Sequence, residues 1–182
     1  MPAQHARSEP KRFFIALRCG RLANRLVLFA NFIALAEEQG HRLVNVTFHS
    51  YADLFETTRR DIYCRYPAAQ RRSWLDVLPG VGVGIRKTRI FYHAVRSASR
   101  LNERLSLFGS KVVTVRESPR SGLVRLDGPE FQERIRNART VFIYGWHFRA
   151  PACVQRHAER VRAYFRPVEN LAKLSPTSLT FQ

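Results

Sequence analysis

The hydrophobic pattern changes period once near the start of the chain. Phe13 to Leu17 is an unbroken apolar run, the length of a buried strand. Arg18 to Leu22 follows as a loop, largely polar, that holds Gly20. From Ala23 the spacing becomes helical. Leu22, Leu26, Phe29, Ala30, Ile33 and Ala36 recur at steps of three or four, which places them on one face. Gly40 comes after the last of them and suits a helix stop, where a residue without Cβ takes a positive φ at little cost. His41 to Thr47 then reads as a second strand. Strand, glycine turn, helix and strand make a βαβ unit, right-handed in nearly all proteins and built on a parallel sheet.

Later segments are weaker in pattern. Ser50-Tyr51-Ala52-Asp53 has the spacing of a capping box, with Asp in place of Glu, and predicts a short helix carrying Tyr51, Leu54 and Phe55 on its apolar side. Thr57 to Tyr66 reads as irregular, and Pro67 to Ser73 as a surface loop. Trp74 to Leu78 predicts a short apolar helix or turn that stops at Pro79-Gly80. Gly80-Val81-Gly82-Val83-Gly84 has the look of a phosphate loop, but no adequate strand precedes it, so it reads as a connector. Ile85 to Phe108 predicts one helix, apolar through Ile90, Phe91, Ala94, Leu101, Leu105 and Phe108 and basic elsewhere. Lys111 to Glu117 alternates as a strand does, Ser118 to Gly122 is a turn, and Leu123 to Leu126 is extended. A helix capped at Asp127 or Gly128, with Pro129 near its first position, runs to Ala138. Thr140 to Tyr144 is the clearest strand after the first, being β-branched and aromatic. Pro151 opens a helix to Phe165. The order predicts an α/β fold, a Rossmann-like βαβ domain with a mainly parallel sheet of three to five strands. Residues 12–168 form that domain, 1–11 a flexible lead-in and 169–182 a tail.

Composition narrows the partners. With 182 residues the chain suits one domain, and 45% hydrophobic content is enough for a packed core. The formal charge is +17, and lysine occurs only at Lys11, Lys87, Lys111 and Lys173, so arginine dominates. Guanidinium forks match phosphate geometry, which points to acidic partners such as a nucleotide sugar or a nucleic acid. A preference for arginine codons would give the same excess. Cys19, Cys64 and Cys153 lie far apart, with no spacing suited to zinc, and their odd number argues against a disulfide framework. A reducing, cytoplasmic setting is therefore expected. Cys19, beside arginines, is a candidate for a lowered pKa, the other possibility being an inert buried thiol. No run is long enough to span a membrane. No paired carboxylates stand out. Glu37 and Glu38 read as solvated, while Asp53 and Glu56 could face a cleft.

The candidate site lies at strand ends. In open α/β sheets ligands sit at the carboxyl ends of the strands, beside helix N-termini that favour anions. Gly20, Arg21, Asn24 and Arg25 occupy the turn after the first strand, and His147 follows the strand Thr140 to Tyr144, so a parallel sheet puts both turns on one edge. These five residues are the expected substrate-binding set. No catalytic residue is assigned, and neither a metal nor a cofactor is called for.

Cys19-Gly20-Arg21-Leu22-Ala23-Asn24-Arg25-Leu26, followed by the aromatic helix Phe29-Ala30-Asn31-Phe32, resembles the Gly-x-Leu-Gly-Asn-Gln/Arg opening of fucosyltransferases. By this motif the chain resembles the α-1,2-fucosyltransferases of glycosyltransferase family 11 and their bacterial look-alikes. Gly20 and Asn24 match the motif, and Ala23 stands where the family usually has Gly. Tyr144-Gly145-Trp146-His147-Phe148, then Val161-Arg162-Ala163-Tyr164-Phe165, resembles the segment closing the N-terminal half of those enzymes. The resemblance implies a two-Rossmann-domain (GT-B) enzyme using GDP-fucose and a glycan acceptor, of which this chain holds the acceptor or cleft side. The family's His-x-Arg-Arg-x-Asp segment, which binds the donor diphosphate, has no counterpart here; Arg59-Arg60-Asp61 lacks the His and lies in the wrong region. The expectation is an N-terminal half, inactive by itself. The alternative is a basic nucleic-acid-binding α/β protein, for which the chain shows no known motif.

Overall fold

The computed structural model describes residues 9–59, 61, 63–68, 111–117 and 122–169, with the single positions His93, Arg96, Ser97, Arg100 and Leu101. The expectations for residues 1–8, 69–92, most of 94–110, 118–121 and 170–182 lie outside these residues.

The first strand, β1 (Arg12–Ile15), buries Phe13 and Ile15 and leaves Phe14 half-buried, the alternation of a pleated strand. The helix α1 (Leu22–Gln39) follows, and Gly40 ends it in the left-handed region at φ 69°, as its position predicts. Strand β2 (Arg42–Val44) runs parallel to β1, with Phe13 opposite Leu43. Strand β6 (Thr140–Tyr144) flanks β1 on the other side, also parallel, with Phe13 opposite Val141. Beyond it lies β4 (Val112–Arg116), parallel again. A two-residue strand, β3 (Arg65–Tyr66), pairs antiparallel with β2 and completes the order β3-β2-β1-β6-β4. The fold is mixed α/β with a mostly parallel sheet, consistent with the Rossmann-like expectation.

Further helices lie among the described residues. They include α2 (Pro129–Ile135), α3 (Pro151–Arg156) and α4 (Ala158–Tyr164). The core forms where α1 meets the sheet. Phe13 lies 5.6 Å from Phe32, and Phe131 of α2 lies 6.5 Å from Phe13. Phe29 sits among Phe48, Tyr164 and Phe165 at edge-on angles, the arrangement aromatic quadrupoles favour. Asn31 is buried on α1, its amide donating to Val27 O at 2.7 Å and its oxygen accepting the Ala150 N–H at 2.6 Å. That bond satisfies a backbone donor at the start of α3 from another element, in place of a local cap.

Several segments depart from their sequence pattern. Phe48 to Leu54 is a 3-10 helix that starts before the expected capping box. The Asn45 side chain accepts from Thr47 N and Oγ1 and turns the chain early, while the Ser50 hydroxyl accepts from Arg18. The second strand therefore stops at Val44 and does not extend to Thr47. The expected helix Pro151 to Phe165 breaks at His157, beside Glu38, which contacts both Arg156 and His157. Helix α2 ends at Ile135, short of Ala138. Glu37 and Glu38 are engaged, not simply solvated. Glu37 accepts from the Tyr66 hydroxyl, and Glu38 takes a fork from Arg156 at 2.6–3.1 Å. Two short strands, β5 (Val124–Arg125) and β7 (Phe148–Arg149), form a separate parallel pair. No helix among the described residues is long and apolar enough to cross a membrane.

Candidate functional site at the carboxyl edge

Strands β1, β2, β4 and β6 are mutually parallel, so the segments that follow them share one edge. These segments hold Arg18 to Arg21, Asn45 to Thr47, Glu117, and Gly145 to His147.

The turn after β1 is tight. Gly20 takes φ 63°, and a Cβ there would lie 2.8 Å from Asn24 Cβ. The Asn24 side chain packs onto the space that glycine leaves, which is a physical reason for Gly and Asn four residues apart. Both residues are exposed. Arg21 is exposed at the N-cap of α1, and its side chain makes no capping bond. Arg25 behaves differently. It is buried, donating from Nε to Gly20 O at 3.2 Å and from Nη1 to Thr47 O at 3.0 Å, with its guanidinium 5.0 Å from the Tyr51 ring. It ties the turn after β1 to the turn after β2, so its charge serves the edge from within.

Arg18 reaches the same region, donating to His49 Nε2 at 3.1 Å and to Ser50 Oγ at 3.2 Å. His49 donates from Nδ1 to Val46 O at 2.8 Å, the tautomer that leaves Nε2 to accept from Arg18. Burial lowers the His49 pKa and the Arg18 and Arg25 charges add to that, against the opposing Val46 bond. The ring is therefore held neutral. Cys19 is half-buried, and its pKa is raised by burial and by the negative charge of Glu117, with Arg25 opposing. The lowered pKa that its arginine neighbours suggest does not arise, since desolvation outweighs them.

Glu117 follows directly on strand β4. Its Oε2 accepts the N–H groups of Trp146 at 2.8 Å and His147 at 3.2 Å, and its Oε1 accepts from His147 Nδ1. Burial alone would raise the Glu117 pKa, but these hydrogen bonds and the nearby His147 hold it below the ordinary carboxylate value. Gly145 makes the approach possible. At φ 145° it has no Cβ, and one placed there would lie 2.5 Å from both Cβ and Oε2 of Glu117. The His147 carbonyl accepts Val124 N–H at 2.9 Å, and its ring centroid lies 4.0 Å from that of Trp146. His147 is thus fixed at backbone and ring.

Of the five expected residues, Gly20, Arg21 and Asn24 lie exposed in the turn after β1 and the first turn of α1, His147 lies in the turn after the neighbouring β6, and Arg25 is interior. Sequence reasoning missed Glu117, which closes a strand 30 residues before His147. The signal available was an acidic residue at a strand end in a strongly basic chain. Asp53 and Glu56 are exposed, and Glu56 lies 3.9 Å from Arg166. No group of His, Cys, Asp and Glu suited to a metal occurs among the described residues. Compared with family models, with curated proteins and with solved structures, the chain matches none.

Proposed function

We propose that this chain is the acceptor-side domain of a fucosyltransferase-like glycosyltransferase of GT-B type that uses GDP-fucose. The carrying observation is the Gly20–Asn24 turn on the same sheet edge as the Glu117–His147 pair. The turn offers backbone and amide groups at a helix N-terminus, where an anion is favoured. The pair offers a fixed imidazole for a hydroxyl. Arg18, Arg21 and Arg25 give this edge a positive field. Donor-diphosphate binding through His-x-Arg-Arg-x-Asp is assigned to no residue here, because that pattern does not occur in the 182 residues. Losing one preorganised contact to charge that develops in a transition state can cost about 10²–10³ in rate.

The test is a titration of the 182-residue chain with GDP-fucose, followed by backbone amide shifts. We expect movement at Gly20, Asn24 and His147, weakened in Asn24→Ala at unchanged melting temperature, and no measurable fucose transfer. Unmoved amides at these turns overturn the site, and turnover by the isolated chain overturns the assignment to an acceptor side alone.

A further inference from the structure

The Glu117–His147 arrangement says more than that a ligand could sit nearby. Both oxygens of Glu117 are committed, Oε2 to two backbone N–H groups and Oε1 to the ring Nδ1 of His147. A carboxylate beside Nδ1 fixes the neutral imidazole as the Nδ1–H tautomer and leaves a lone pair on Nε2. The His147 side chain is 39% exposed, and among the described residues none bonds its Nε2. Three other described histidines spend their rings elsewhere. His41 is 1% exposed, His49 uses Nε2 to accept from Arg18, and Nε2 of His157 lies 3.4 Å from Glu38. His147 thus combines a fixed ring, a carboxylate partner and an outward nitrogen at the end of a parallel strand.

We infer that Glu117 and His147 form a proton-accepting pair, in which Nε2 of His147 takes the proton of a hydroxyl brought to this edge. The identity of that hydroxyl, a sugar acceptor, rests on the function proposed above; the pair itself does not. In a transfer step the acceptor oxygen bonds to the anomeric carbon of a nucleoside-diphosphate sugar as its proton passes to Nε2. The carbon–oxygen bond to the diphosphate breaks, and its electron pair leaves with the diphosphate. The imidazolium that results lies against the Glu117 carboxylate, which stabilises it. Glu117 is a positioning residue, acting through His147.

The experiment uses the whole chain and no sugar nucleotide. Long-range proton–nitrogen spectra of the neutral ring report its tautomer directly. We expect Nδ1–H with bare Nε2 for His147 in the wild type, reverting in Glu117→Ala to the Nε2–H form that free histidine prefers. Cleavage of p-nitrophenyl acetate gives a chemical readout of the same nitrogen. His147→Ala is expected to lower the rate by at least about tenfold, with His157→Ala unchanged. A wild-type ring in the Nε2–H form, or unchanged ester cleavage in His147→Ala, overturns the inference. The wild-type spectrum decides the matter even if Glu117→Ala fails to fold. Failure of GDP-fucose to move the Gly20 and Asn24 amides would sink the sugar-transfer reading alone.

Discussion

Arg25 is 8% exposed, and arginine is seldom buried unless its donors are met. Its bonds to the carbonyls of Gly20 and Thr47 meet that condition and explain why a charge can sit under the site. His41 is the opposite case. It is buried at the start of β2, its Nδ1 accepts Lys11 N–H at 3.2 Å, and its Nε2 has no hydrogen-bond partner. Burial, with the Lys11 charge adding to it, pushes its pKa down to about 4 from 6.5. A base whose pKa is depressed on folding takes up its proton in the unfolded chain first. Its contribution is complete above about pH 6.5 and is lost as pH falls from there toward about 4, amounting to at most about 3 kcal/mol. Lys11 does not share that window. Its ammonium donates to Arg136 O at 2.9 Å and Ala138 O at 3.2 Å, and its own lowered pKa, set by burial against Glu9, bears on the alkaline side. Urea unfolding at pH 7 and pH 5 should therefore show a loss of stability on acidification that His41→Gln largely removes. Equal pH dependence in both proteins would refute the assignment.

Strand β6 and the turn after it show how an element positions chemistry. Thr140 to Tyr144 is legible because β-branched and aromatic residues fill every position, and its observed limits coincide with the pattern. The period switch between β1 and α1 is legible for the same reason, a strong local signal that agrees with the tertiary fold. The two-residue strands β3 and β7 are not, since a pair that short is set by its partner and not by its own sequence, while β5 falls within Leu123 to Leu126, which reads as extended. The break at His157 is equally hidden, because Glu38 from α1 meets the chain there across 118 or more residues. At the site, Gly20, Asn24 and His147 were legible as strand-end residues, while the inward turn of Arg25 and the arrival of Glu117 depend on long-range packing. Gly145 connects the two levels. Replacing it with Ala adds a Cβ at 2.5 Å from Glu117 and strains a backbone at φ 145°. We expect Gly145→Ala to cost about 1–3 kcal/mol in urea unfolding and to release the His147 ring from its Nδ1–H tautomer. An unchanged tautomer would show that Gly145 does not set the approach of β4 to the turn.

Charge is a property of the whole molecule, and the proposed function and its nucleic-acid alternative predict different responses to salt. The formal charge is +17, yet the described arginines do not gather in one stripe. Arg12, Arg42 and Arg139 lie at the amino edge of the sheet, Arg18, Arg21 and Arg25 at the carboxyl edge, and Arg156, Arg160 and Arg162 on α3 and α4. Several are offset by acids, including Arg139 with Glu9, Arg156 with Glu38 and Arg160 with Glu37, solvent-screened pairs that add little to stability. A nucleic-acid binder needs its cations along one phosphate track, and each phosphate neutralised steepens the fall of affinity with salt. A single diphosphate seated at a helix N-terminus depends less on bulk salt, because it is held by directed N–H groups as well as charge. Single-stranded RNA should therefore bind this chain only weakly at 50 mM salt and with a shallow salt dependence, whereas a binder engaging about 6–10 phosphates of a single strand would lose roughly two and a half to four decades between 50 and 200 mM. The amide shifts produced by GDP-fucose at Gly20 and Asn24 should persist over the same range. RNA bound tightly at 50 mM salt with so steep a fall would reverse the proposal and make the nucleic acid the partner of this basic fold.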